Sequence, residues 1–371
     1  MKYPFALPFF DENEEFKRIK EVYDSNIFVH GEYSKLFEKS FKDFTGATSA
    51  SSVSNCTAAL HIAHHLASFD RKGFVACPAM SHIATANAII LSGNKPYFVD
   101  CNKYGNIDIE LLESIIDETF VGITLVHFNG SPCDMDEIIR ISKENNLYII
   151  EDCALAVGSK YKGRHVGTFG DFGCFSFHPA KQLCTGEGGM VISAGDKQKK
   201  LDLIKAFGVD RSFSKRNRPG EYDVVDVGFN YRMPEMPAAM GISQMEKVEL
   251  ILNKREENFK EYLKSDHLLE RHLPLADGAS HYAFIFILDT QKQRQELQDT
   301  LVSNGIGNSI YYPKPIPEFN IYKELSYPST DIKNASIIAN KSLALPVGPH
   351  LENEDIEYIV NIIDSFLDNW E

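Results

Sequence analysis

The 371-residue chain lacks the marks of several protein classes. It has no run of about 18 apolar residues, the length a membrane-crossing helix needs, so no membrane partner is expected. Its seven cysteines (56, 77, 101, 133, 153, 174 and 184) are odd in number and include no CxxC pair. That argues against a disulfide framework and against a zinc site, and no metal is expected. Several of these cysteines sit inside apolar runs and read as reduced, buried thiols of a cytoplasmic protein. Basic residues are outnumbered, 38 Lys and Arg against 52 Asp and Glu, and a formal charge of −14 excludes a polyanion-binding surface over the whole molecule. Nucleic acid is therefore not an expected partner, although a local pocket for a phosphate is compatible with this charge. No GxGxxG follows a strand, which sets a nicotinamide dehydrogenase aside. The opening Met1 to Pro8 carries two prolines and runs into acidic residues, unlike a signal peptide. Internal repeats and low-complexity segments are absent as well.

What is present is ordinary for a globular protein, 43% hydrophobic and 24% charged residues. The length favours two domains. Residues 12–45 read as two helices broken at Val29-His-Gly31, with Phe16, Ile19 and Val22 on one inward side and Leu36, Phe37 and Phe41 on the other. After Gly46 short apolar runs alternate with helical stretches. Seven candidate strands lie near 49–54, 73–78, 95–100, 121–127, 147–152, 172–177 and 189–194, with helices such as 57–68, 82–92 and 136–145 between the earlier ones. Helical crossovers imply a mainly parallel sheet covered on both faces. The last two strands have only a loop between them, so the order there is expected to be mixed. Residues 195–232 turn polar and irregular, and a helix near 234–265 leads out of the large domain. The division is expected at 1–250 and 251–371, the smaller α+β domain having strands near 281–289 and 308–313 and helices near 291–304 and 353–368.

The most informative stretch runs from Cys174 to Gly189. A buried strand ends at Pro179, and Lys181 follows in a tight, glycine-rich loop before the next strand. An amine held between buried strands loses hydration, which favours its neutral, nucleophilic form; a loop lysine reaching water is the alternative. Other features fall at strand ends, where open α/β sheets gather ligands. Ser54-Asn-Cys56-Thr57 opens a helix, with Thr57 as candidate cap and N–H groups suited to a phosphate, or else is an ordinary capped helix. Asp152 ends a buried strand, where a carboxylate calls for a cationic partner. Ser176 precedes the lysine, and His82 could lay its ring on another. Together these meet the needs of pyridoxal phosphate: a Schiff-base lysine, an acid for the pyridine nitrogen, a phosphate cup and a stacking ring.

These stretches resemble the DegT/DnrJ/EryC1/StrS family of pyridoxal-phosphate sugar aminotransferases over nearly the whole chain. The resemblance is carried by Asn55-Cys-Thr-Ala-Ala-Leu60, Pro78 to Thr85, Val126-His127, Asp134-Met135 and Glu151-Asp-Cys-Ala154. It continues through Gly170-Asp171, Ser176 to Lys181, Thr185 to Gly189 and Gly228-Phe-Asn-Tyr-Arg-Met233. It implies an α/β, aspartate-aminotransferase-like fold (fold type I) with a mainly parallel seven-stranded sheet. It further implies that Lys181 forms the Schiff base, Asp152 pairs with the ring nitrogen, His82 stacks on the ring, and Cys56, Thr57 and Ser176 hold the phosphate. Asn230 would reach the phosphate of a neighbouring subunit, making a homodimer with shared active sites. Two positions depart from the family pattern: Cys56 stands for a usual Gly, and Leu155 for a usual Gln or His near the phenolic oxygen. Another donor or a water is expected to replace the latter, or the bound cofactor to titrate differently.

Glu187, Tyr311, Tyr312 and Lys314 are candidate substrate contacts, the last three where the small domain would close over a ligand. The basic run Arg211 to Arg218 is either an anion contact or a surface loop. His61, His64 and His65 crowd one helix without a carboxylate at ligand spacing and read as a packed or solvated face. The expected activity is transfer of an amino group from L-glutamate to a nucleotide-linked 4-keto or 3-keto 6-deoxy sugar, in bacterial surface polysaccharide synthesis. The rivals are a free acidic keto sugar of the octulosonate type as acceptor, a sugar 3-dehydratase (disfavoured because that branch replaces the lysine by histidine), and a cofactor-binding sensor that turns nothing over.

Overall fold

The computed structural model describes residues 1–210 and 222–370. Strands β1 (Ser49–Val53), β2 (Phe74–Pro78), β3 (Lys95–Val99), β4 (Phe120–Val126), β5 (Tyr148–Asp152), β8 (Phe172–Ser176) and β9 (Gly189–Ser193) build one seven-stranded sheet, and the hairpin β6 (Lys160–Tyr161) with β7 (Arg164–His165) lies between β5 and β8. All seven strands expected from the apolar runs are present, their ends within one residue of the expected ones. The order is β1-β9-β8-β5-β4-β2-β3. Only β9 runs against its neighbours, pairing antiparallel with both β8 and β1, while the other pairs are parallel. The reason is local: a parallel return needs a crossover, usually helical, and the 177–188 connection contains no helix.

Helices α3 (Cys56–Ala67), α4 (Ile83–Leu91), α5 (Ile109–Ile115) and α6 (Met135–Asn145) make the crossovers, and α1 (Glu12–Ser25), α2 (Tyr33–Thr45), α7 (Gln198–Ile204) and α8 (Glu235–Glu246) add to the large unit. The break between α1 and α2 lies where expected, but two inward assignments are corrected: Phe16 is 73% and Leu36 44% exposed, whereas Val22, Phe37 and Phe41 are buried. Helical geometry explains this, since Phe16 stands six residues before Val22, about a third of a turn around, and Leu36 is about 100° from Phe37. The long helix expected over 234–265 is two, α8 and α9 (Val248–Tyr262), parted at Lys247. The polar 195–232 segment contains α7 and the short pair β10 (Val209–Asp210) and β11 (Asp223–Val224); the run Arg211 to Arg218 lies outside the described residues.

The smaller unit holds α10 (Asp266–Arg271), β12 (Phe284–Ile287), α11 (Gln291–Ser303), α12 (Asn320–Leu325), α13 (Lys333–Lys341), β13 (Ser342–Leu345) and α14 (Asn353–Asp368). Its core packs Phe284 and Phe286 with Leu343 and Leu345 beside the α14 stripe Ile356, Ile359 and Ile363. The strand expected at 308–313 is not formed. Ser309 makes a single bridge to Ala344, and Pro313 and Pro315 supply no N–H for a ladder; the partner of β12 is instead β13. The expected division at 250/251 falls inside α9, whose Ile251 packs in the large core while Phe259 and Tyr262 pack in the small one. Residues 2 and 3 bond to the Gly305 carbonyl, and Tyr3 lies in the small core. Among the described residues no helix is long and apolar enough to cross a membrane.

Candidate active site

The carboxyl ends of β1, β5 and β8 converge on a cavity of about 770 Å³, closed on its far side by Tyr282, Tyr311 and Tyr312 of the small unit. That is ample for a small organic cofactor and part of a substrate. The loop after β8 is fixed by backbone bonds, Phe177 N–H to the Gly188 carbonyl at 2.9 Å, Thr185 N–H to the Phe177 carbonyl at 2.9 Å and Lys181 N–H to the His178 carbonyl at 2.8 Å. Gly189 lets this loop lie against the start of α3, since a Cβ there would stand 2.5 Å from the Asn55 backbone. Lys181 is thus held on a rigid turn facing the cavity. Its amine has no carboxylate within ion-pair distance among the described residues and lies 5.1 Å from the centre of the Tyr282 ring. Burial pushes the amine below its ordinary pKa, against the pull of Tyr311, Cys56 and Asp152.

Asp152 ends β5 on the same cavity. It is buried and accepts hydrogen bonds from the Thr85 hydroxyl at 2.8 Å and the Ala154 N–H at 3.1 Å. Because Thr85 spends its only proton on Asp152, the 2.7 Å contact between Ser81 and Thr85 must be donated by Ser81. Burial raises the Asp152 carboxyl in spite of these donors. Thr85 was not among the expected site residues. Its signal was present in the sequence, however, as the hydroxyl three residues after the residue that opens α4.

Asn55, not Thr57, caps α3, its side chain accepting from the Ala58 N–H at 2.8 Å. Thr57 lies inside the first turn, and the better cap is the residue with extended backbone just before the helix. Cys56 and Thr57 therefore bring first-turn N–H groups to the cavity wall beside Ser176. His82 caps α4, accepting the Ala84 N–H on Nδ1 at 3.2 Å, which leaves the proton on Nε2; its ring lies at the cavity 5.9 Å from that of Tyr312. Glu187, Tyr311 and Tyr312 also line the wall. Two expected site residues do not. Lys314 is exposed and off the wall, and Asn230 is exposed with its side-chain oxygen held by Arg232 at 2.7 and 2.9 Å.

Leu155 reaches the cavity, but its buried side chain packs in the apolar core with Phe128 and Tyr282, and its carbonyl accepts from Gln182 at 2.7 Å. Of the crowded α3 histidines, His64 is buried between Tyr148 and Thr124 and is pushed down to about 3 by burial, and His61 meets the Tyr231 hydroxyl at 3.0 Å. His127, Glu151 and Cys153 bring ligand atoms within 4.8 Å of one another, yet those of the first two are already committed. Nδ1 of His127 accepts the Cys133 N–H, its Nε2–H donates to Glu151, and Glu151 also accepts the N–H groups of Gly167, Phe169 and Gly170.

The cavity fits pyridoxal phosphate. It joins an amine that, among the described residues, has no carboxylate within ion-pair distance, a buried carboxylate with free lone pairs, and a helix start beside a serine hydroxyl. The model of the DegT/DnrJ/EryC1/StrS aminotransferase family matches residues 10–364. The chain is 34% identical over 372 residues to the GDP-perosamine synthase of Escherichia coli O157:H7, covering 99% of each. It is 30% identical over 367 residues to the UDP-4-amino-4,6-dideoxy-N-acetyl-beta-L-altrosamine transaminase of Campylobacter jejuni, covering 96% of each. The structure of Helicobacter pylori PseC, an aminotransferase involved in the biosynthesis of pseudoaminic acid, superimposes with a TM-score of 0.91 over 100% of both chains at 26% identity.

Proposed function

The chain belongs to the DegT/DnrJ/EryC1/StrS aminotransferase family, sugar aminotransferases that use pyridoxal phosphate, and from that premise we propose that it transfers the amino group of L-glutamate to a nucleotide-linked 4-keto-6-deoxy sugar. The observation that carries the reading is the opening of Lys181 and Asp152 onto one cavity. Both named relatives handle nucleotide-linked sugars by their names, and one of those names places the amine on carbon 4 of a 6-deoxy sugar. Synthesis of a bacterial surface polysaccharide is the setting this supports.

When bound, pyridoxal phosphate supplies the aldehyde and the electron-withdrawing ring that amino transfer requires. In the proposed mechanism Asp152 would hold a proton at the ring nitrogen, and a carboxylate buried there calls for that positive partner. Lys181, whose burial pushes its amine toward the neutral form, would take the proton from Cα of the amino acid and, in the second half of the transfer, give a proton to the sugar carbon that receives the amine. The first turn of α3 and the Ser176 hydroxyl anchor the phosphate. His82, on the cavity wall, would lie against the ring. Glu187, Tyr311 and Tyr312, which line the cavity, bound the acceptor side, and Lys314, exposed and off the wall, contributes charge only at longer range. Asn230, turned away from its own cavity, serves the site of a second copy in a homodimer.

The test is a pair of half-reactions. Protein loaded with pyridoxal phosphate and mixed with L-glutamate should lose its long-wavelength absorbance and release 2-oxoglutarate. GDP- or UDP-linked 4-keto-6-deoxy sugars should restore the absorbance, and a free keto acid sugar should not. Lys181→Ala should abolish turnover with the fold intact, and mixing it with Asn230→Ala subunits should recover activity. Absence of 2-oxoglutarate would remove the enzyme reading, and no recovery on mixing would remove the shared site.

A further inference from the structure

The opening residues, with their two prolines, lie across the joint between the two units. At one end Lys2 and Tyr3 donate their backbone N–H groups to the Gly305 carbonyl at 2.9 Å, and the Gly307 N–H donates to the Tyr3 carbonyl at 2.6 Å. The His350 Nε2–H donates to the Pro4 carbonyl at 2.9 Å. Gly307 allows this approach, since a Cβ there would stand 2.2 Å from the Phe5 nitrogen. At the other end the Phe9 ring packs on the large core, and its carbonyl accepts from Gln244 Nε2 at 2.8 Å. The Gln244 amide is fixed in that sense. Its Nε2 also donates to Glu15 at 3.0 Å, and its Oε1 accepts the Cys184 N–H at 3.3 Å, in the loop that carries Lys181. From Phe5 to Phe9 the chain can span at most about 14 Å, and Pro4 and Pro8 restrict φ near either end.

Between these anchors Phe5 meets the cavity wall from outside. Its ring centre lies 5.9 Å from that of Tyr311, and it packs against the apolar cluster that holds Leu155 and Tyr282. Tyr311 in turn sets its ring 5.2 Å from that of Tyr312 and its hydroxyl 2.7 Å from that of Tyr282. The three tyrosines line the cavity, and Phe5, Phe9 and Gln244 do not. We propose that residues 3–9 are a strap that holds the Tyr311 wall to the Lys181 loop, Phe5 being a positioning residue that governs acceptor binding through Tyr311. A segment tied to both units, with its backbone freedom already cut by prolines, restrains their separation at little further entropic cost. The Phe5 ring bears on the wall of the acceptor side and not on Lys181 or Asp152, so its loss should weaken the hold on the sugar and spare the chemistry. The inference rests on the reading proposed above, in which Tyr311 bounds the acceptor side.

The decisive variant is Phe5→Ala, which removes the ring and leaves Tyr3 and Phe9 anchored. Two measurements on the full-length protein loaded with pyridoxal phosphate read it. Nitration of Tyr311 by tetranitromethane, followed by peptide mapping, should speed up about fivefold as its covered face opens, with the exposed Tyr23 as the unchanged control. The concentration of GDP- or UDP-linked 4-keto-6-deoxy sugar that gives half-maximal return of the absorbance should rise about fivefold, the scale of one aromatic pair. The limiting rate and the L-glutamate half-reaction should stay within about twofold. Phe5→Leu, which keeps most of the apolar bulk, should fall between Phe5→Ala and the unaltered protein, and it decides alone should Phe5→Ala fold poorly. Phe5→Ala combined with Tyr311→Ala should match Tyr311→Ala alone in acceptor binding, because Phe5 acts only through that ring. Unchanged nitration, an unmoved acceptor concentration, additive losses in the double variant, or an equal fall in both half-reactions would overturn the proposal, the last marking a merely structural role. Failure of the functional reading would look different: no nucleotide-linked sugar would restore the absorbance, while Tyr311 nitration would still respond to the change at residue 5.

Discussion

Two neighbouring carboxylates on β5 meet opposite fates. Successive side chains of a strand point to opposite faces, so Glu151 and Asp152 leave the same backbone for different surroundings. Glu151 enters a pocket with four donors, three backbone N–H groups at 2.6 to 2.7 Å and the His127 Nε2–H at 3.1 Å. It ties the 167–170 loop and the β4 end to β5, and its lone pairs are spent. Asp152 enters the cavity with two donors at 2.8 and 3.1 Å and a raised carboxyl. Burial is similar for both, at 0% and 4% exposure. What separates the structural acid from the one proposed to serve the cofactor is therefore how many of its lone pairs the fold has already used, not depth.

This contrast breaks most visibly in activity. Asp152→Asn should lower turnover about a thousandfold, since a neutral amide cannot hold a proton at a ring nitrogen. The same change should raise thermal stability of the cofactor-free chain at neutral pH. The folded carboxyl titrates above the unfolded one, so between the two the folded state holds more protons and stability falls as pH rises. The penalty is complete above the folded value, and Asn, which never ionises, escapes it. Glu151→Gln should do the reverse. Its amide N–H₂ would face backbone donors, and the loss of charge-assisted bonds should cost about 3 kcal/mol, read as a lower urea midpoint. Turnover per folded molecule should stay within about threefold, or about 0.6 kcal/mol, because Glu151 does not line the cavity. If Asp152→Asn lost stability and Glu151→Gln lost chemistry, the division between the two acids would be reversed.

The sheet was legible because most of its strands are short apolar runs bounded by polar breaks, the serine-rich β1 (Ser49–Val53) excepted, and buried parallel strands read as continuous hydrophobics. The Lys181 loop and Asp152 were legible because their place at strand ends is a matter of sequence spacing. The walls contributed from afar were less so. Tyr282 meets the lysine only through the docking of the segment just before β12 on the large unit, a contact between residues about 100 apart in sequence and open to no local rule. Asn55 against Thr57 is a case of two good caps competing. Backbone angles decide it, and a pattern of residue types does not contain them. The 308–313 segment was misread because its β-branched and aromatic residues suit a strand, while the prolines that follow leave its edge without donors.

A smaller effect sharpens the comparison by moving Asp152 one step further from Glu151. Thr85→Val preserves shape and removes one of the two donors to Asp152, leaving the Ala154 N–H. The lost hydroxyl had favoured the ionised carboxylate, so its removal should raise the carboxyl further and carry the acid limb of the kcat/KM profile to higher pH. Ser81 at the same time loses its acceptor, so part of any loss of stability belongs to that hydroxyl. Turnover at neutral pH should fall about tenfold, the worth of one hydrogen bond to a charged group. The pH profile separates the two contributions: a lost Ser81 contact lowers the whole curve, whereas a change at Asp152 slides its acid side. A profile lowered without sliding would mean that the lone pairs of Asp152 are governed by a group other than Thr85, and that counting donors is not what distinguishes the two acids.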